Sequence, residues 1–197
     1  MAVIFAARRT AVCPRGGAFA RLRIEDLAAP VMQAVLADAG IAAARVDEVI
    51  LANALGAGGN PARRAALLAG LPERVAGLTI DRQCAGGLDA ILLAQAMVDS
   101  GAAEVVLAGG AESYSRRPLR AMPGADGVAV PYDQAPFTPW PDRDPEMGVA
   151  AAALADRLGI SREAQSDWAV ESHAKAMRVA DWPEIVEVDG ISRDAFT

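Results

Sequence analysis

The sequence predicts an α/β chain built on a mainly parallel sheet with helices packed over both faces. Three observations predict it. Short apolar runs with β character alternate with helical runs over the first hundred or so residues. The helical runs end on glycine, at Gly40, Gly70 and Gly101. With 53% hydrophobic and 22% charged residues, the 197-residue chain can bury a core, so disorder is excluded.

Taken in order, residues 3–7 form a short apolar run expected to be a buried strand. Residues 26–39 read as a helix, with Leu27, Val31, Ala34 and Val35 at helical spacing. Pro30, near its start, predicts an irregular first turn. Residues 48–53 (EVILAN) make a second strand. Residues 61–69 follow as a helix with proline at the first position, where the missing N–H costs little. Residues 78–81 are the third strand and residues 86–100 a strong helix. Residues 104–108 (EVVLA) are the fourth strand, closed by Gly109 and Gly110.

After Glu112 the texture changes. Seven of the 12 prolines fall between Pro118 and Pro145, among Tyr132, Phe137 and Trp140. Proline at that density opposes regular helix and central strand, which predicts a structureless functional loop or lid. Helix resumes over 146–158, and again from Ser161, the expected N-cap, to about Val179. Residues 184–188 (EIVEV) read as a last strand.

Composition removes several function classes. Two cysteines, Cys13 and Cys84, are too few for a disulfide framework or a four-thiolate metal site. One histidine, His173, leaves no site that needs two imidazoles, and no metal is expected. A net charge of −6 argues against a nucleic-acid groove; Lys175 is the single lysine and the arginines are scattered. No apolar run reaches the roughly 18 residues of a membrane span, and the first lacks a signal peptide's basic flank. The expected location is cytoplasmic, with no membrane partner.

Residues 78–88 (LTIDRQCAGGL) carry the chemistry, placing Cys84 where a buried strand turns into a helix. A helix N-terminus offers free N–H groups and a positive dipole end, which favour a thiolate. The same N–H groups could hold an oxyanion, and Gly86 and Gly87 allow a sharp turn and a close substrate approach. Cys84 is therefore a candidate acyl-accepting nucleophile. The alternative is a buried cysteine acting as a small hydrophobe.

This segment resembles the nucleophile motif of the thiolases, Asn-Arg-x-Cys-x-(Ser/Gly)-Gly-Leu. Further segments match in family order: Ala6-Ala7-Arg8 with Arg9-Thr10, Gly16-Gly17-Ala18-Phe19, and Val46-Asp47-Glu48-Val49-Ile50 leading to Asn60-Pro61-Ala62-Arg63. Ala108-Gly109-Gly110-Ala111-Glu112-Ser113 resembles the family's Gly-Gly-x-Glu-Ser. Met147-Gly148 and Gly159-Ile160-Ser161-Arg162-Glu163 resemble its inserted loop domain.

The resemblance implies a layered α/β/α N-terminal half with an inserted, Pro-rich and helical loop domain. It divides the chain into a core over 1–112, lacking its last strand, and a partial loop domain over 113–197. The implied activity is making or cleaving a 3-ketoacyl-CoA by Claisen chemistry, with Cys84 acylated and its N–H in the oxyanion hole. The implied substrates are acyl-CoA and coenzyme A, with no other cofactor. Met147 matches a methionine beside the pantetheine. Glu146 stands where the family has histidine, and Asp81 where it has asparagine.

Family members run to about twice this length. Their second half supplies a Gly-His-Pro base and a Cys-x-Gly-x-Gly proton carrier, and neither motif is present. The missing C-terminal half is thus an expected partner, and this chain alone is expected to be inactive. His173 reads as a surface residue and Cys13 as a loop cysteine without a role. Two alternatives stand beside this reading, a ketoacyl synthase-like condensing enzyme and a non-catalytic acyl-CoA-binding or scaffold subunit. The Cys84-Ala85-Gly86-Gly87 and Asn60-Pro61-Ala62-Arg63 runs favour thiolase over ketoacyl synthase. Thiolases pair through the strand before the nucleophile, so self-association is expected along residues 78–81, from Leu78 to Asp81. The strand over 104–108 is expected to have an unpaired edge.

Overall fold

The computed structural model describes residues 1–56, 58–179 and 182–195. The chain divides into two compact units, residues 1–118 with 182–195, and residues 119–179. These bounds differ from 1–112 and 113–197: the last stretch of chain packs with the first unit.

In the first unit, β1 (Arg9–Thr10) precedes α1 (Ile24–Ala39), β2 (Glu48–Ala52), α2 (Pro61–Leu68), β3 (Ala76–Ile80), α3 (Gly86–Asp99) and β4 (Val106–Gly110). Strands β3, β2 and β4 form a parallel sheet in that order. The two crossovers leave β2 and β3 in opposite directions across the sheet. Right-handed crossovers therefore put α2 and α3 on opposite faces.

Packing agrees with that placement. Val49 and Leu51 of β2 join Met32 and Leu36 of α1 and Ala62, Ala65 and Ala66 of α2 in one buried cluster. On the other face Gly86 of α3 sits on Ala52, so close that a Cβ on Gly86 would lie 2.7 Å from the Ala52 Cβ. Helix α2 is drawn equally tight onto β3, where a Cβ on Gly77 would lie 2.5 Å from the Arg63 nitrogen. Asn60 caps α2 by accepting from the Arg63 N–H at 3.1 Å.

Several expectations are corrected. Residues 3–7 are not a strand: none is hydrogen-bonded into a sheet, and Val3, Ile4 and Phe5 are exposed. A strand needs a lateral partner, and among the described residues none pairs with this run. The first turn of α1 is regular, because Asp26 accepts the Arg23 N–H at 2.9 Å and helix begins at Ile24. Pro30, seventh in the helix, removes one bond without ending it. Strand β4 starts two residues late, because the Asp47 carboxylate takes the N–H groups of Glu104 and Val105 at 2.8 and 3.0 Å. It continues through Gly109 and Gly110, which pair with Leu51 and Ala52. Among the described residues β4 has no partner on its outer side.

The last strand, β7 (Ile185–Val186), is shorter than 184–188 and pairs parallel with β1. Ala11, Phe19, Leu27 and Val188 bury a second cluster under it. Asp194 ties this returning segment down, accepting from Arg9 at 2.8 and 3.0 Å and from the Val12 N–H at 2.7 Å.

The second unit is not structureless. It holds an antiparallel hairpin, β5 (Arg120–Pro123) and β6 (Ala129–Tyr132), then α4 (Met147–Leu158) and α5 (Arg162–Met177). The Gly124 N–H bonds the Val128 carbonyl at 2.8 Å. By alternation the pairs Pro123–Ala129 and Ala121–Pro131 are then the non-bonded ones, so neither proline removes a ladder bond. Ser161 caps α5 as expected, accepting from the Ala164 N–H at 3.1 Å. Neither helix has a buried residue.

Candidate active site

The chain leaves β3 at Ile80 and enters α3 at Gly86 through a 3-10 turn, Gln83–Ala85, with Cys84 at its centre. Cys84 is a free, exposed thiol, which excludes its reading as a buried small hydrophobe. The turn is held from its start. The Asp81 carboxylate accepts the Gln83 N–H at 2.7 Å, and Gln83 adopts a left-handed φ of 48°. A glutamine pays about 1 kcal/mol for that conformation. Asp81 therefore supplies the acceptor that the family's asparagine oxygen could supply.

The tight turn also narrows the supply of free amides. The Ala85 N–H bonds the Arg82 carbonyl and the Gly86 N–H bonds the Gln83 carbonyl. Gln83 is held by Asp81. The Cys84 N–H is the one amide of residues 83–86 that belongs to none of these bonds.

Cys84 lies at the carboxyl ends of the parallel strands, the edge where open α/β sheets bind ligands at a change of strand order. Beyond β2, Asn53 is buried at 7% exposure. Its side-chain amide donates to the Ala111 carbonyl at 3.0 Å and to Glu112 Oε1 at 2.8 Å. Glu112 Oε1 also accepts the N–H groups of Ala54 and Leu55. Burial pushes the Glu112 carboxyl above the ordinary glutamate value; the two backbone donors oppose that rise, and the neighbouring Asp81 carboxylate adds to it. Glu112 belongs to the Gly-Gly-x-Glu-Ser run and Asn53 to the strand over 48–53, and neither carries a local signal of a site role. No local pattern could have joined residues 58 or 59 positions apart.

Cys13 lines a cavity of about 220 Å³ with Arg15, Phe19, Glu112, Ser113 and Tyr114. Burial, and secondly Asp194, push its thiol up, which makes it the less reactive kind of cysteine. Met147 opens α4 in the second unit and is exposed; Cys84 belongs to the first unit. Glu146 is the N-cap of α4, accepting from Gly148 and Val149 N–H at 2.9 and 3.2 Å. His173 is exposed in the middle of α5. Among the described residues no three or more His, Cys, Asp or Glu side chains gather as metal ligands.

The family described as thiolase, N-terminal domain, matches residues 2–193. The chain belongs to the thiolase family. It is 41% identical over 183 residues to YhfS of Bacillus subtilis (strain 168), provisionally named an acetyl-CoA C-acetyltransferase. That match covers 91% of this chain and 45% of the relative. An acetyl-CoA acetyltransferase of Cupriavidus necator is 40% identical over 183 residues, covering 88% of this chain and 46% of the relative. The crystal structure of the Bacillus anthracis acetyl-CoA acetyltransferase superposes with a TM-score of 0.83 at 34% identity. It covers 94% of this chain and 50% of that one. The fold is thus that of a thiolase N-terminal half, and the chain spans about half the length of the thiolases it matches. No helix among the described residues is long and apolar enough to cross a membrane.

Proposed function

We propose that this chain is the nucleophile-bearing half of a thiolase-type acyltransferase, making or cleaving a 3-ketoacyl-CoA through an acylated Cys84. One observation carries the reading: an exposed thiol on a tight turn at the N-terminus of a 14-residue helix, at the carboxyl edge of a parallel sheet. The positive end of the helix dipole there favours negative charge that develops on substrate oxygen.

In the cleavage direction, the Cys84 sulfur adds to the C3 carbonyl carbon of the 3-ketoacyl-CoA. The C2–C3 bond breaks, its electron pair leaves with acetyl-CoA as the enolate, and a proton completes that product. The remaining acyl group stays on sulfur as a thioester, which the coenzyme A thiol displaces while the thiol proton leaves to a base. The Cys84 N–H is the candidate donor to the oxyanion. The base and the proton carrier come from a C-terminal thiolase half, because the sequence has one histidine, exposed on α5, and no second cysteine in the family's motif.

Met147 is the candidate contact for the pantetheine arm. Glu146 contributes a helix cap in place of the family's histidine. Acyl-CoA and coenzyme A are the ligands, and no further cofactor is needed for the chemistry. Two surfaces suit the partners. The outer edge of β3 suits a second copy along residues 78–81. On α3, exposed Leu88, Ile91 and Leu92 form an apolar stripe that suits the other half.

The test is acyl transfer to the sulfur. The chain, folded with the C-terminal half of a relative, is incubated with acetyl-CoA and mapped by peptide mass. An acetyl increment on the Cys84 peptide, absent from Cys84→Ala, is expected. A folded complex without that increment overturns the reading.

A further inference from the structure

Glu112 reaches the Cys84 turn through the end of β2. Its Oε1 gathers the Asn53 side chain and the N–H groups of Ala54 and Leu55, which pins the chain as it leaves β2. Ala52, the residue just before, is the seat on which Gly86 rests, two positions after Cys84. Asp81, whose carboxylate holds the left-handed Gln83 directly before Cys84, follows the strand on the other side of β2, near enough for its charge to act on the Glu112 carboxyl. The three residues stand at the carboxyl ends of the three strands. Asn53 follows the central strand, Asp81 the strand on one side and Glu112 the strand on the other.

We infer that Glu112 is a positioning residue for the Cys84 turn, acting as a three-way acceptor that fixes the end of β2 under the start of α3. What the site needs from it is reach and an acceptor oxygen rather than a negative charge. A charge there faces Asp81, a like charge, and gains nothing from it. A glutamine carbonyl oxygen has the same reach and can stand in for Oε1 as the shared acceptor, without the charge. An aspartate keeps the charge and falls one carbon short.

This inference rests on the reading of Cys84 as the nucleophile, and two readouts on the full chain separate them. The first is amide hydrogen exchange at Ala54, Leu55 and residues 83–85. Glu112→Asp is expected to speed exchange tenfold or more at both places, and Glu112→Gln to stay within twofold of native. Residues 83–85 unchanged in Glu112→Asp, or the two variants alike, would overturn the positioning role. The second readout is the alkylation rate of Cys84 by iodoacetamide. Native chain faster than free cysteine, with Glu112→Asp falling toward the free rate and Glu112→Gln not, is the expected pattern. A native rate equal to the free thiol's sinks the nucleophile reading, while exchange still decides the role of Glu112. Both variants keep a polar side chain at a position that solvent reaches, and a cooperative melt establishes that each folds.

Discussion

Gln83 is the residue on which the approach to Cys84 turns. Its φ of 48° is compensated by the Asp81 bond to its N–H and not by its own side chain type. Left-handed backbone costs an L-residue about 1–2 kcal/mol and a β-branched one more. Gln83→Gly should therefore stabilise the chain by about 1 kcal/mol in urea unfolding. Gln83→Val should destabilise it by about 1 kcal/mol or more. If valine is neutral there, the turn does not hold Gln83 left-handed in solution. The aspartate at position 81 departs from the family pattern, and its carboxylate presents an oxygen to this amide, as an asparagine side chain could.

At the scale of elements, β3 is an edge strand with Leu78 41% exposed on its surface. Its neighbour β2 occupies one side, and among the described residues nothing pairs on the other, which suits a second copy in isologous pairing. Leu78→Arg places like charges near each other across such a contact. It should raise the dissociation constant of the self-associated form at least tenfold in sedimentation equilibrium. A native chain that stays monomeric at all concentrations removes that surface from consideration. The second unit shows how element-level reading goes astray: proline density predicted no regular structure, yet Pro123 and Pro131 sit where a two-stranded hairpin requires no N–H. Helices α4 and α5 kept their predicted places because their caps, Glu146 and Ser161, are local in sequence.

For the whole chain, acid stability reflects where its carboxylates are held. Asp194 fastens residues 182–195 to Arg9 and Val12, with its side chain 14% exposed. The Arg9 guanidinium, first of all, holds this carboxyl below the ordinary 3.8. A depressed folded pKa means that its contribution is fully present above the unfolded value and lost as pH falls through the folded one. Unfolding followed from pH 7 downward should therefore steepen below about pH 4. Asp194→Asn should cost about 2 kcal/mol at neutral pH and flatten that acid limb. An unchanged limb would mean that the returning segment is not held by Asp194. Glu112 works in the opposite sense. Its raised pKa gives a contribution present at low pH and lost as pH rises through the folded value, and Glu112→Gln removes that dependence.

Most of the elements, and the place of Cys84 between a strand and a helix, were legible in the sequence. Apolar period, stop glycines and capping residues act over a few neighbouring positions, and the family resemblance lay in short local runs. The tertiary structure alone decided three things. It left residues 3–7 without a strand, because pairing needs a partner that local character cannot supply. It set Gln83 left-handed and used the amides of Ala85 and Gly86 inside the turn. It brought Asn53, Asp81 and Glu112 to one edge of the sheet, since the order β3-β2-β4 arises from crossover packing and not from the order of residues along the chain.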